Sequence, residues 1–232
     1  MAMRTALKAG LPHLGLELTE NTQRTLCDFG AAVVEQNKVM NLTAITEPEQ
    51  VAKLHLLDSL SLLTLEDLSG KRVIDVGCGA GFPGVPVKIA CPDMKLTLLD
   101  SLGKRMTWLE TILPQLGVDA ECVTARAEEA VADRREQYDV AFSRAVARLN
   151  ILLELTAPYV KVGGKVLAMK GTAAQEELEE AKNAIGQLGL KLEKLAEFPV
   201  DGTAHTVIVL RKVKPTPKQY PRRYAKIKQS PL

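Results

Sequence analysis

Val73-Ile-Asp-Val-Gly-Cys-Gly-Ala-Gly-Phe-Pro-Gly84 decides the fold of this chain. A short β-branched run, Val73 to Val76, opens into a loop carrying Gly77, Gly79, Gly81 and Gly84. Glycines let a backbone turn sharply and approach a ligand without Cβ contacts, and such a loop sits where a strand passes into a helix at the carboxyl edge of a parallel sheet. Outward from it the periodicity alternates. Strand-like runs fall at 72–76, 95–99, 120–123, 138–142 and 165–169, with helical stretches at 84–90, 104–116, 127–132, 150–159 and 173–188. That alternation predicts an α/β protein, a parallel sheet with right-handed crossovers and helices on both faces. The end breaks the pattern. Runs at 190–197 and 203–212 flank Phe198-Pro-Val-Asp-Gly202, which predicts an antiparallel hairpin closing the sheet.

Upstream, residues 1–70 read as a helical extension. From 22 to 38 the apolar residues Leu26, Phe29, Val33 and Val34 share a face. Thr46-x-x-Glu49, with Pro48 in the first turn, has the form of a capping box for a helix that turns Val51, Leu54 and Leu57 inward. Ser69-Gly70-Lys71 marks the break before the sheet, so the expected organisation is a helical extension at 1–70, a sheet domain at 71–212 and a basic tail at 213–232.

The chain of 232 residues is 46% hydrophobic and 25% charged, which excludes a disordered chain for most of its length. Its four cysteines form no Cys-x-x-Cys pair and its three histidines lie far apart in sequence, so neither a zinc site nor a disulfide scaffold is legible and no metal is expected. No stretch has the length of a signal peptide core or a membrane span, and the expectation is a reduced, soluble, cytoplasmic protein with no membrane partner, acting as a monomer. The net charge of +2 is uneven. Residues 211–232 hold eight Lys or Arg and no acid, leaving 22 basic and 28 acidic residues in the rest, a body of −6 beside a tail of +8. Such a tail is either a solvated, disordered arm or a segment that meets phosphates.

Two ligand classes fit the glycine loop. Gly79-Ala-Gly-Phe-Pro-Gly84 satisfies the dinucleotide pattern, and Asp75-x-Gly-x-Gly-x-Gly81 the loop of S-adenosylmethionine-dependent methyltransferases. A dinucleotide sets its pyrophosphate against the loop, where Asp75 repels it. Adenosylmethionine brings a sulfonium and an ammonium, which suit an acid. Asp100, ending the second strand, is placed to accept ribose hydroxyls in either class, or to cap the next helix. Glu128, after Ala127, reads equally as an adenine contact or as an acid on a helix N-terminus. Arg144, after the fourth strand, lies where the transferred methyl would sit.

Asn41-Leu-Thr-Ala-Ile45, His55-Leu-Leu-Asp-Ser59, the glycine loop, Leu98-Leu-Asp-Ser101 with Lys104-Arg105, Ser143-Arg-Ala-Val-Ala147, Lys170-Gly171, Tyr220-Pro-Arg-Arg223 and Ser230-Pro-Leu232 occur in this order. Together they resemble the bacterial 16S ribosomal RNA guanine-N7 methyltransferases, once called glucose-inhibited division protein B. The resemblance implies a Rossmann-like class I methyltransferase fold, with a seven-stranded, mostly parallel sheet. It implies S-adenosyl-L-methionine as cofactor and 16S ribosomal RNA, or the small ribosomal subunit, as partner, with methyl transfer to a guanine of the 530 loop. By its pattern, cofactor contacts fall to Gly77, Gly79, Phe82, Asp100, Ala127, Glu128 and Arg144. Arg144 and Lys170 become positioning groups, and Asn41, His55, Lys170, Arg222 and Arg223 candidates for RNA contact. Read by themselves, His55 is equally a core histidine and Asn41 a loop tie. Guanine N7 carries no proton, so its methylation needs no general base, and no acid–base residue is expected. An NAD-dependent oxidoreductase and a non-catalytic ribosome-assembly factor are the competing readings.

Overall fold

The computed structural model of the chain describes residues 1–200 and 203–232. Its strands are β1 (Arg72–Val76), β2 (Lys95–Asp100), β3 (Glu121–Thr124), β4 (Tyr138–Arg144), β5 (Val160–Lys170), β6 (Leu190–Val200) and β7 (Thr203–Lys212). They form one sheet in the order β3-β2-β1-β4-β5-β7-β6. β1 to β5 pair in parallel, and β7 runs antiparallel to both β5 and β6. The sheet is therefore seven-stranded, mostly parallel and closed by the expected hairpin. The turn expected at Phe198–Gly202 is occupied as far as Val200 by β6, and Asp201 and Gly202 lie outside the described residues.

Alternation along each strand divides the apolar side chains between two cores. Val73 turns to one face with Leu98, Phe142 and Leu167, where Leu26, Phe29 and Val33 cover them. Ile74 and Val76 turn to the other with Ala141, Val166 and Ile208, beneath Leu152, Leu153 and Leu178. The first face is thus roofed by the amino-terminal helices α1 (Ala2–Gly10), α2 (Glu20–Asn37) and α3 (Pro48–Val51), the last running on as a π-helical segment, Ala52–Leu57, and a turn, Asp58–Leu60. Between the strands lie α4 (Gly84–Ala90), α5 (Gly103–Gln115), α6 (Ala127–Ala130), α7 (Leu149–Thr156), α8 (Ala174–Glu180) and α9 (Lys182–Gln187).

Three local expectations change. The helix expected at 22–38 begins at Glu20, with the Thr19 hydroxyl accepting the Thr22 amide at 3.1 Å as its cap. The capping box at Thr46 does not form: Glu47 holds the N-cap position without a side-chain bond, and Glu49 turns to Lys53, 2.7 Å away on the next turn. The helix expected at 173–188 breaks at Ala181 into α8 and α9, which keeps Leu178, Ala181, Ala184 and Leu188 all buried against the sheet.

The basic tail is not a loose arm. Thr216 bonds Leu188 and Glu136, the buried Tyr220 receives Arg135 on its carbonyl and bonds Gln187 through its hydroxyl, and a last helix, α10 (Tyr224–Gln229), buries Ile227. Glu154 of α7, wholly buried, takes the Arg222 guanidinium at 2.8 and 2.6 Å and the Arg222 amide at 2.8 Å.

Candidate active site

Where β1 and β4 lie side by side, their crossovers leave on opposite faces, and the carboxyl edge of an open sheet offers a crevice at such a point. Two cavities occupy it. The first lies over the ends of β1, β2 and β3, lined by Gly77, Asp100, Arg105, Ala127, Glu128 and Tyr224 among others. Gly77 is in the left-handed region (φ +74°), and a Cβ there would meet Val146 Cγ2 at 2.4 Å, so only glycine lets the loop pass the strand end so closely.

Asp100 closes the loop. Its Oδ2 accepts the Gly79 amide and its Oδ1 the Leu102 amide, each at 2.9 Å. One oxygen thus holds the segment entering α5, and the carboxylate lines the first cavity with lone pairs to spare. Ala127 and Glu128 open α6, where helix geometry leaves amides unpaired. The Tyr159 hydroxyl fixes Ala127 by donating to its carbonyl at 2.5 Å.

Asp75 plays a different part from the one its sequence position suggested. It is fully buried and absent from the cavity wall, and its Oδ2 accepts the Gly84 amide at 2.8 Å. The start of α4, where a dinucleotide would set its pyrophosphate, is therefore already filled by a carboxylate. Asp75 Oδ1 has no hydrogen-bond partner among the described residues, and burial pushes the carboxyl up to about 7.

The second cavity, about 630 Å³, lies beside the first over β4, β5 and the start of β7. Arg144 dominates its wall. Nη1 donates to Asp58 Oδ2 at 2.9 Å and to the Leu54 carbonyl at 3.0 Å, and Nη2 lies 3.1 Å from His55 Nδ1. Burial and the neighbouring guanidinium push His55 down to about 4. Nδ1 faces both Arg144 Nη2 and the Leu54 carbonyl, each at 3.1 Å, and Nε2 shares a hydrogen bond with the Thr43 hydroxyl 2.8 Å away. Phe82 is the platform beneath, stacked on His55 with centroids 4.6 Å apart and under the Arg144 guanidinium at 5.2 Å. Across the cavity Lys170 donates to the Ala147 carbonyl at 2.5 Å and pairs with Glu177 at 2.8 Å.

The expected site residues therefore divide. Gly77, Asp100, Ala127 and Glu128 line the first cavity, and His55, Arg144 and Lys170 the second. Gly79 acts through its amide on Asp100, and Phe82 supports Arg144 and His55 from below; neither is in the lining of these two cavities. Asn41 is exposed, and its carbonyl takes a hydrogen bond from Arg105 at 3.2 Å. Arg222 is spent on Glu154, whereas Arg223 is exposed. Sequence reasoning missed Asp58 and His205. Asp58, 3% exposed, holds Arg144 on one oxygen and His205 Nδ1 on the other at 2.8 Å. His205 reaches the site because β7 is antiparallel, which brings its first residues to the edge where the parallel strands end. The quoted run His55-Leu-Leu-Asp58 held the signal: residues three apart on a helix share a face.

The sheet order, the antiparallel β7 and the glycine loop facing an acid at the end of β2 define a Rossmann-like methyltransferase. Solved structures share this fold: TrmN from Thermus thermophilus (TM-score 0.55, 19% identity, 68% of this chain and 48% of that one) and a SAM-dependent O-methyltransferase from Thermotoga maritima (TM-score 0.54, 17% identity, 80% and 73%). A family model described as rRNA small subunit methyltransferase G matches residues 22–203. Proteins named ribosomal RNA small subunit methyltransferase G are similar to this chain over nearly all of both lengths: 42% identity in Alkaliphilus metalliredigens (100% of each), 39% in Clostridium perfringens strain 13 (97% of each) and 43% in Lactobacillus johnsonii (96% of each). The chain belongs to the rRNA small subunit methyltransferase G family.

Proposed function

We propose that the first cavity holds S-adenosyl-L-methionine and that the second receives a guanine of small-subunit ribosomal RNA, in the 530 loop, for methylation at N7. One observation carries this reading: the two cavities share the wall formed by Ala145 and Val146, at the end of β4. The bound cofactor supplies an electrophilic methyl on a sulfonium. The donor set of the first cavity suits it, with the Asp100 carboxylate for two ribose hydroxyls, the start of α6 for an adenine edge and Gly77 holding the loop against Val146 at the cavity wall.

The protein's own part is placement. N7 of guanine is an unprotonated acceptor, so no side chain needs to remove a proton. Both His55 nitrogens already have partners, Arg144 and Thr43, and Lys170 is tied to Ala147 and Glu177, which supports placement as the role of each. The Asp58–Arg144–His55 group fixes one wall of the base pocket and the Lys170–Glu177 pair another, so that a base splayed from a loop would meet few accessible orientations. No helix among the described residues is long and apolar enough to cross a membrane, and a ribosomal substrate supports action in the cytoplasm.

Basic groups for the RNA backbone remain on the tail. Of its eight cations, Arg211, Lys212 and Arg222 pair with Glu193, Glu136 and Glu154. Lys214, Lys218, Arg223, Lys226 and Lys228 are exposed and have no ion pair among the described residues. Transfer of labelled methyl from S-adenosylmethionine to 16S RNA or 30S subunits, followed by mapping of the modified base, tests the reading. Label on N7 of a guanine is expected. Binding to RNA without transfer would favour a non-catalytic assembly factor, and binding of NAD in place of adenosylhomocysteine an oxidoreductase.

A further inference from the structure

The first cavity is not completed by the sheet domain. Its lining includes one aromatic side chain, and that side chain is Tyr224 of the tail. The tail reaches it through a series of fixed points. Glu154 receives Arg222, and the next residue of α7, Leu155, lines the same cavity as Tyr224. Beyond Tyr224, Ile227 is fully buried and secures α10. Between these anchors the Tyr224 ring is half-buried, with the Arg126 guanidinium 5.9 Å from its centre, immediately before Ala127 and Glu128.

Resting on the placement of the cofactor proposed above, we infer that Tyr224 is the wall against which the adenine ring packs, so that the carboxyl-terminal segment is part of the cofactor site. Adenine is flat and presents a π-face; a rigid aromatic ring is the side chain that matches it, and base–aromatic stacking is sequence-tolerant and strong. The remaining lining near Ala127 is aliphatic or charged, Val146 and Leu155 on one hand and Arg126 and Glu128 on the other. Arg126, whose guanidinium lies over the Tyr224 ring 5.9 Å from its centre, restrains its tilt.

The test uses the full chain and two probes, S-adenosylhomocysteine and adenosine, with dissociation constants from calorimetry. Tyr224→Ala is expected to weaken both by the same factor, roughly tenfold for removal of one stacking partner, because the ring packs on the part that the probes share. Tyr224→Phe keeps the ring and stays within twofold. Tyr224→Leu, which keeps apolar bulk to hold α10 in place, weakens binding as much as Tyr224→Ala. Asp100→Asn is the companion variant. If it weakens both probes while Tyr224→Ala leaves them within twofold, the inference about Tyr224 falls and the cofactor placement stands. If neither change affects binding, both fall. A loss for adenosylhomocysteine with none for adenosine also overturns the inference, since the ring would then act on the amino-acid end.

Discussion

Arg144 and Asp58 meet at 2.9 Å across 86 residues of sequence, and they join the sheet edge to the helical roof. Asp58 is buried and accepts His205 on its other oxygen, so a single carboxylate sets the position of a guanidinium from β4 and an imidazole from β7. The position of the Arg144 guanidinium depends on that carboxylate.

Asp58→Ala should therefore act on the base pocket and spare the cofactor. Turnover on RNA is expected to fall at least tenfold, with adenosylhomocysteine affinity within twofold of the parent. Removing one partner of a buried pair typically costs about 3 kcal/mol or more, so the melting temperature falls as well. Equal loss of adenosylhomocysteine binding would show that the two cavities are not separable.

The opposite selectivity is expected at Gly77. Alanine would have to adopt φ +74° and would place its Cβ 2.4 Å from Val146 Cγ2. The left-handed conformation alone costs about 1–2 kcal/mol. Gly77→Ala should weaken adenosylhomocysteine at least tenfold, and Gly77→Ala with Val146→Ala should recover only part of this, because the second change removes the clash and not the strain. Full recovery would assign the requirement to space alone.

Asp75 gives stability a pH dependence of defined sign. Its carboxyl is raised from the ordinary 3.8 to about 7, so the folded state prefers it protonated. Its contribution is complete below about pH 4 and is lost as pH rises through 7. Asp75→Asn keeps an oxygen for the Gly84 amide without the charge. The stability of the variant relative to the parent should thus grow steadily from pH 4 to pH 7, as read from urea unfolding midpoints. A constant difference over that interval would refute it.

On the tail, two kinds of arginine sit side by side. Arg222→Ala strands the buried Glu154 and is expected to lower the melting temperature with little effect on the salt dependence of RNA binding. Changing Lys218, Arg223, Lys226 and Lys228 together to Ser should leave the melting temperature in place and flatten that salt dependence. The log–log slope should shrink by up to about 0.7 for each phosphate of single-stranded RNA that is no longer neutralised. Deleting the whole tail cannot separate these effects, because Tyr220 and Ile227 are buried in it.

The first cavity was legible in the sequence because its parts are local: a glycine loop directly after one strand, Asp100 at the end of the next, Ala127-Glu128 just after the third. Each reading needed only the strand ends to be right, and β1, β2 and β3 end within one residue of the apolar runs. The role of Asp75 was not legible, since its partner, the Gly84 amide, is fixed by the path of the loop. The second cavity was legible only in part. Arg144 and Lys170 end neighbouring strands, yet Asp58 and His205 are 147 residues apart and meet only because β7 reverses direction beside β5. The tail stayed open in the sequence for a related reason. Eight cations in 22 residues look solvated, and nothing local shows that Arg222 has a buried carboxylate waiting on α7.

The wall shared by the two cavities, Ala145 and Val146, has a kinetic consequence. On the proposed placement each reactant has its own cavity, both seated together in the transfer step, and the methyl passes between them without first being parked on a side chain. Steady-state velocities measured at several fixed levels of each reactant should then give intersecting reciprocal lines, the signature of a ternary complex, and not the parallel lines of a double displacement.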